Sequence, residues 1–435
     1  MKIDGNLIKE HLKNECKQYQ QQFQGKEISI VRFEVPAELN QQRDELTKRE
    51  RIQKAKYKAA LVSENQKVKT FESFGVKANR VTLNPEETSV EQFQQIIQSI
   101  NEDENVKAAI VQLPVPPEFY SSIKQLAPEK DIDCVRGEPN ELFSSPATAE
   151  GVARIVESYA QPDSNVAVIG GDGFIGRGVR NYLEENGISS FVLEQEDDKS
   201  RTNEADIVVS VTGVAGLATP YILPQHRLVV DSGFTPGENE GDLPSGDVDR
   251  SAYDIPDIIT PVPGGIGPTE MAILAERFVK MELNIELPKW NYQELAQEQQ
   301  KRAAEVTSIA ENLIAQVEEY ALTEDSGDIN PSINPQARQL FDSLKNNLSQ
   351  EENKTTLIGN KYKIVVNTQR ETFSISRAEE KTLLVKKNLS NNQIEINRGL
   401  TANDIQQWKE IDRLLPGDNG QQTAPQQQSN NDIER

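Results

Sequence analysis

The strongest constraint on how this chain can fold is an alternation that occurs twice. Before residue 145, the apolar runs "EISIVRFEV", "RVTLN" and "VKAAIVQLPVP" are separated by helix-prone stretches. After residue 164, "SNVAVIGG", "SSFVLE", "ADIVVSVTG", "RLVVDSG" and "DIITPVP" follow, with a helical pattern in "GFIGRGVRNYLEENG". Apolar runs of about four to eight residues bounded by turn signals read as strands. Strands alternating with helices imply βαβ units, because parallel strands need a long crossover and a helix supplies it. The pattern predicts an α/β chain of two lobes, 1–145 and 146–288.

Composition changes after Pro288. "NYQELAQEQQKRAAEVTSIAENLIAQVEEYALTE" is polar with one apolar stripe (Val306, Ile309, Leu313, Val317), which predicts a long helix over 289–325. "DSGDINPSINP" reads as a linker. "NKYKIVVNTQRETFSISRAEEKTLLVKKN" and "NQIEINRG" alternate like strands, and "TANDIQQWKEIDRLL" reads as a closing helix. A small α+β domain is expected over 335–415, and a disordered, low-complexity tail over 416–435.

Charge and residue counts exclude several function classes. The net charge of -22 over 435 residues argues against nucleic acid or an anionic membrane as a partner. The two cysteines, Cys16 and Cys134, give neither a disulfide framework nor metal spacing. The two histidines, His11 and His226, lie far apart, so no metal site is expected, and His226 alone stays open as a functional residue. The N-terminal stretch has no apolar signal region and no run of about 18 apolar residues occurs, so a soluble cytoplasmic protein is expected.

"VAVIGGDGFIG" places Gly171, Gly173 and Gly176 in a G-x-G-x-x-G pattern, after an expected strand and opening an expected helix. That context marks a Rossmann-like dinucleotide loop. Gly171 permits the tight turn, Gly173 lets a pyrophosphate approach the backbone, and Gly176 lets helix and strand pack closely. The helix start offers free N–H groups and partial positive charge. Glu194 ends the next strand, where a carboxylate suits the ribose hydroxyls of NAD and repels the extra phosphate of NADP. NAD is therefore the preferred cofactor, with NADP second.

"TPVPGGIGPTEMAIL" (260–274) packs breakers just ahead of an apolar helix. A mere connector needs only a few residues, so this one reads as part of a site. Together with "IVQLPVP" (110–116), "PEKDID" (128–133), "GDVD" (246–249) and the N-terminal "IDG" (3–5), it resembles the signature segments of the bifunctional methylenetetrahydrofolate dehydrogenase/cyclohydrolases, in that family's order. The resemblance covers about residues 1–287. It implies two α/β lobes with a cleft between them, a homodimer formed through the cofactor lobe, and a tetrahydrofolate substrate. The proline-glycine segment is then a rigid cleft loop, with Pro263, Gly264 and Gly265 beside nicotinamide and folate.

Anchored on Gly75, the family pattern puts its lysine on Lys67, a second on Lys69 and its tyrosine position on Ser63. Gln112 is its glutamine and Asp133 its folate-contacting aspartate. Thr212 and Gly213 join Asp172 and the loop glycines on the cofactor side. Lys67, Gln112 and Asp133 are the expected catalytic residues. A lysine partly desolvated in a cleft can have a depressed pKa and serve the hydrolysis step. This sequence departs from the pattern at several positions: Ser63 for the tyrosine, Cys134 for a glycine, Ala149 for a proline, Gly171 and Asp172 for arginine and serine. A long charged segment also precedes the lysine. Dehydrogenase activity is therefore expected to survive better than cyclohydrolase activity. The alternative is a catalytically silent scaffold whose C-terminal domain mediates binding.

Overall fold

A computed structural model describes residues 1–41, 45–138, 140, 142–237 and 241–301, and five strands between 354 and 396. The chain divides into two compact units, Met1–Ala296 and Gln297–Arg435.

In the first lobe, α1 (Gly5–Lys17) is capped by Asp4 and buries Ile8, Leu12 and Cys16 on one face. Strand β1 (Glu27–Phe33) follows. The helix-prone stretch after it splits. Residues 37–39 form a short 3-10 turn, and α2 (Lys48–Glu72) starts at Thr47, which exchanges hydrogen bonds with Glu50 in a capping box. Then come β2 (Lys77–Leu83), α3 (Val90–Glu102), β3 (Val106–Gln112) and the single turn α4 (Tyr120–Ile123). Ser89 caps α3 with a second capping box to Gln92. The three strands are parallel in the order β2-β1-β3.

The second lobe runs through α5 (Ala147–Tyr159), β4 (Asn165–Ile169), α6 (Phe174–Glu185), β5 (Ser189–Leu193), β6 (Ile207–Ser210), β7 (Leu228–Asp231), β8 (Ile258–Ile259) and α7 (Ile266–Leu283). Its parallel sheet has the order β5-β4-β6-β7-β8. The order of winding reverses between β4 and β6, a switch point whose carboxyl edge opens a crevice for ligands. Strands β6 and β7 are buried along their whole length, as parallel strands covered on both faces must be.

The two lobes exchange their ends. The Ile3 amide donates to the Ile259 carbonyl at 2.8 Å and the Ile259 amide to the Met1 carbonyl at 3.0 Å, so the N-terminus extends the second lobe's sheet. Conversely, Phe278 of α7 meets Phe23 and Phe71 edge-on at 5.3 and 5.6 Å, inside the first lobe's core. A buried ionic network bolts α7 to α5. Arg277 donates to Glu150 at 2.6 Å and to the carbonyls of Ile132 and Ser145 at 2.8 and 2.7 Å. Arg154 joins Glu150 at 2.6 Å and Glu276 at 2.8 Å.

The compact unit continues past Pro288. Trp290 is buried beside the Arg154 guanidinium, and buried Tyr292 lies against Tyr159, its hydroxyl accepting the Asp4 amide at 2.8 Å.

In the C-terminal unit, β9 (Lys354–Ile358), β10 (Tyr362–Asn367), β11 (Thr372–Arg377), β12 (Leu383–Asn388) and β13 (Ile394–Ile396) form an antiparallel sheet in the order β13-β12-β11-β10-β9. The sequence pattern anticipates the last four strands and misses β9. Residues 292–301 are helical. The rest of the expected long helix, the linker, the closing helix and the tail lie outside the described residues.

Candidate functional site

A cavity of about 1290 Å³ opens between α2, the ends of β3 and β4, and the start of α6. That exceeds the roughly 300–1,000 Å³ of a typical single-ligand site. Among the residues lining it are Ser63, Lys67, Gln112 and Asp133 from the first lobe, and Gly170, Gly173, Glu194 and Thr212 from the second.

Lys67 is the centre of the first-lobe wall. Ser63 and Lys67 sit one turn apart on α2, on the same face. The Lys67 ammonium donates to Ser63 Oγ at 3.1 Å and to Gln112 Oε1 at 3.0 Å. It pairs with Glu270 Oε1 at 2.6 Å, and Asp133 Oδ2 lies 3.8 Å away. Gln112 reaches the site because it is the last residue of β3. Asp133 is held by the Ala147 amide, which donates to its Oδ1 at 2.9 Å. The loop carrying it is shaped by Asp131, which accepts the Val135 and Arg136 amides, and by Arg277 on the Ile132 carbonyl. Cys134, at the usual glycine position, adopts φ 51°, in the left-handed region that favours glycine.

The lysine's electrostatics differ from the expectation. Lys67 is 1% exposed, and burial alone drives its pKa down. The Glu270 and Asp133 carboxylates outweigh burial, so the net direction is up. The expected depressed pKa is overturned, and the cause is Glu270, which the sequence reading did not single out. Glu270 lies early in α7, directly after the glycine-proline segment.

On the second lobe, the left-handed turn residue after β4 is Gly170, with φ 82°, rather than Gly171. Gly171 and Asp172 do not line the cavity. A Cβ on Gly171 would press on Val192, and Asp172 pairs outward with Arg180 at 2.8 Å. Gly173 does line it and begins α6 without any side-chain cap, leaving N–H groups of the first turn free for an anion. Gly176 serves packing: its Cβ would lie 2.3 Å from the Gly170 carbonyl oxygen. Glu194 lines the cavity at the end of β5 and accepts the Asp172 amide at 2.7 Å.

Thr212 is fixed by a pair of buried aspartates that sequence reasoning passed over. Asp247 accepts from Ser210 Oγ and from the Thr212 and Val214 amides at 2.7–2.9 Å. Asp231 in turn accepts the Asp247 and Val248 amides, both at 2.9 Å. Burial, with the neighbouring Asp247 charge, pushes Asp231 up to about 7. Gly213 faces a smaller adjoining cavity instead of the main one.

Pro263, Gly264 and Gly265 do not line the main cavity. Their bare backbone receives the N-terminus. The Gly5 amide donates to the Gly264 carbonyl at 2.8 Å, and a Cβ on Gly5 would fall 1.9 Å from the Gly265 oxygen. His226 is also away from the cavity. It is buried, its Nδ1 accepts the Leu223 amide, and its Nε2 meets the Thr202 carbonyl at 2.9 Å. Both cysteines are free and buried, with burial pushing each thiol up to about 12.

A doubly wound cofactor lobe facing a lysine-carboxylate cluster across one cleft defines a dinucleotide-dependent dehydrogenase of two lobes. Family models sharpen this. The tetrahydrofolate dehydrogenase/cyclohydrolase catalytic domain matches residues 3–133, and the NAD(P)-binding domain of the same family matches residues 146–285. The "Bifunctional protein FolD" of Lactobacillus delbrueckii subsp. bulgaricus is 30% identical over 230 residues, 49% of this chain and 79% of that protein. The protein of that name from Methanosarcina barkeri is 33% identical over 224 residues, 48% of this chain and 76% of its own. The fold is shared with the bifunctional FolD enzyme of Campylobacter jejuni, at a TM-score of 0.53 and 23% identity, covering 65% of this chain and 99% of that one. It is shared also with the Trypanosoma brucei enzyme solved with NADP and an inhibitor, at a TM-score of 0.52 and 22% identity, covering 65% of this chain and 97% of that one. The chain belongs to the tetrahydrofolate dehydrogenase/cyclohydrolase family. Among the described residues, no helix is long and apolar enough to cross a membrane.

Proposed function

We propose that the chain oxidises methylenetetrahydrofolate to methenyltetrahydrofolate with NAD, preferred over NADP, as hydride acceptor, and that its cyclohydrolase step is weak. The reading rests on one observation: the Lys67 cluster and the uncapped start of α6 face the same cavity. The nicotinamide, when bound, takes the hydride. Everything else falls to the protein. The free N–H groups of α6 hold the pyrophosphate. Asp133 accepts from the N–H groups of the pterin, and Lys67 and Gln112 hold the folate side in place. Oxidation leaves a cation on the folate, and the Asp133 and Glu270 carboxylates offset the charge that develops. A silent scaffold is not favoured, because the family match spans both lobes.

The NAD preference is supported by the charges around β5. Glu194 lines the cavity, where a carboxylate would meet the ribose hydroxyls of a bound dinucleotide. The Lys199 ammonium, on the same wall, donates to the carbonyls of Glu194, Gln195 and Asp197. Arg201 is held in a two-pronged pair by Glu204 at 3.0 Å. Lys199 thus has all three N–H groups committed to carbonyls, and the Arg201 charge is paired with Glu204. Titration calorimetry with each cofactor tests this: NAD should bind about tenfold tighter or more, about 1.4 kcal/mol. Equal affinities refute the preference, and absence of folate-dependent nicotinamide reduction refutes the activity. A homodimer built through the second lobe, whose β5 is an edge strand, acting in the cytoplasm, completes the proposal. Light scattering that finds a monomer removes the dimer.

A further inference from the structure

The oxidation product is a cation that water can open. In that reaction the water oxygen bonds to the methenyl carbon and a base takes one of its protons. A ring carbon–nitrogen bond then breaks, and the nitrogen keeps the electron pair and takes up a proton. The step needs an unprotonated base near the carbon.

Lys67 is the buried amine of the cleft, and its geometry leaves it nothing to offer. An ammonium has three N–H groups and no lone pair. Ser63 Oγ, Gln112 Oε1 and Glu270 Oε1 take all three, at 3.1, 3.0 and 2.6 Å. Two charged groups face it. Glu270 comes from α7 and Asp133 from the loop ahead of α5, and both are carboxylates. Ser63 on α2 and Gln112 on β3 are uncharged. We infer that Glu270 is a specificity-determining residue: it locks Lys67 as an ammonium and so tilts the chain toward hydride transfer and away from hydrolysis of the methenyl product. The inference rests on the dehydrogenase reading above and deepens it.

Glu270 differs in kind from the other two acceptors. Ser63 and Gln112 can accept a hydrogen bond from the ammonium or from the neutral amine alike. A carboxylate at 2.6 Å favours the charged form alone. Burial favours the neutral amine, and with the Glu270 charge removed only Asp133, 3.8 Å away and partly solvated, opposes it. Glu270→Gln is nearly isosteric, keeps an acceptor oxygen and removes the charge.

The test supplies methenyltetrahydrofolate directly to the full chain and follows its disappearance across pH, above the buffer rate. Glu270→Gln should hydrolyse it about tenfold faster than wild type, with the half-maximal rate moved to lower pH. Glu270→Asp, which keeps a carboxylate facing Lys67, should gain less hydrolysis than Glu270→Gln. Adding Lys67→Met to Glu270→Gln should erase the gain. The Lys67 side-chain carbon resonance, assigned by its loss in Lys67→Arg, should titrate at lower pH in Glu270→Gln than in wild type. A hydrolysis rate unchanged or lowered in Glu270→Gln overturns the inference. So does an unchanged lysine titration, or a gain that survives Lys67→Met. NAD-dependent oxidation is read on the same wild-type sample. Its absence sinks the dehydrogenase reading, while the lysine titration still judges the lock.

Discussion

Replacing Arg277 by methionine removes the centre of the α5–α7 network while keeping a side chain of similar length. The guanidinium is 3% exposed and lies 4.5 Å over the Phe143 ring. Breaking a buried ion pair costs about 3–5 kcal/mol, because the surviving charge is left uncompensated. Here Glu150 keeps Arg154 at 2.6 Å, which places the loss at the lower end. The orphaned carbonyls of Ile132 and Ser145 add about 1 kcal/mol or more. The sum is about 4 kcal/mol out of a typical total of about 5–15. For a unit of 296 residues, an unfolding entropy of about 2 cal/mol/K per residue converts this to a fall in Tm of about 7 °C. Urea denaturation and thermal melts of wild type, Arg277→Met and Arg277→Lys measure it, with the lysine variant in between. The pH dependence carries a second signature. Burial pushes Glu150 up, but Arg277 and Arg154 together hold it below the ordinary carboxylate value. A folded pKa that is depressed gives stability present above the unfolded pKa and lost as pH falls through the folded one. The gap between wild type and Arg277→Met should therefore narrow as pH drops through the acid range. Because Arg277 also holds the Ile132 carbonyl next to Asp133, KM for the folate should rise more than KM for the dinucleotide. A stability loss under about 1 kcal/mol, or a gap that does not change with pH, would refute the reasoning.

Two further outcomes follow from buried groups elsewhere. A chain ended at Leu287 loses Trp290 and Tyr292, and since deleting one large buried ring costs about 3–5 kcal/mol, it should melt well below a chain ended at Lys301. Equal melting temperatures would show that residues 288–296 add nothing to the unit. Asp231, pushed up to about 7, keeps a proton in the folded chain that it loses in the unfolded chain above about pH 4, so its contribution to stability falls as pH rises toward 7 and is flat beyond. Asp231→Asn should flatten the stability profile across that window, and an unchanged slope in melts would clear Asp231 as its source.

The strands of both lobes were legible because each is a short, β-branched run with turn signals at both ends. Lys67, Gln112 and Asp133 were legible through the spacing of known segments, and the structure brings them to one wall of one cavity. What escaped is instructive. The start of α2 hides in a uniformly charged stretch, although "TKRE" (47–50) carries the capping-box signature. Gly170 and Gly171 are identical letters, and only the backbone shows which one takes the left-handed turn. Glu270 sits inside a segment read for its prolines and glycines. Its signal was a charge in a run that is otherwise apolar, where Glu276 and Arg277 carry the same mark of buried, paired groups. β9 reads KTTLI, with no alternation of apolar and polar residues to announce it. The second role of the Gly264–Gly265 backbone, receiving the Gly5 amide, is not legible in sequence, because a bare backbone beside a ligand and one beside another chain segment look alike there.

The exchange of ends between the lobes has a consequence for how the protein is made. During synthesis the first lobe emerges whole in strands but not in core. Phe23, Phe71 and Phe74 wait for Phe278, some two hundred residues later, and residues 1–3 wait for β8. The first lobe's core closes only after α7 leaves the exit tunnel, so its aromatic surface stays open while the roughly two hundred residues between Phe74 and Phe278 are made. An open surface of this kind favours chaperone binding, and a break at residue 145 would strip each lobe of packing that the other supplies.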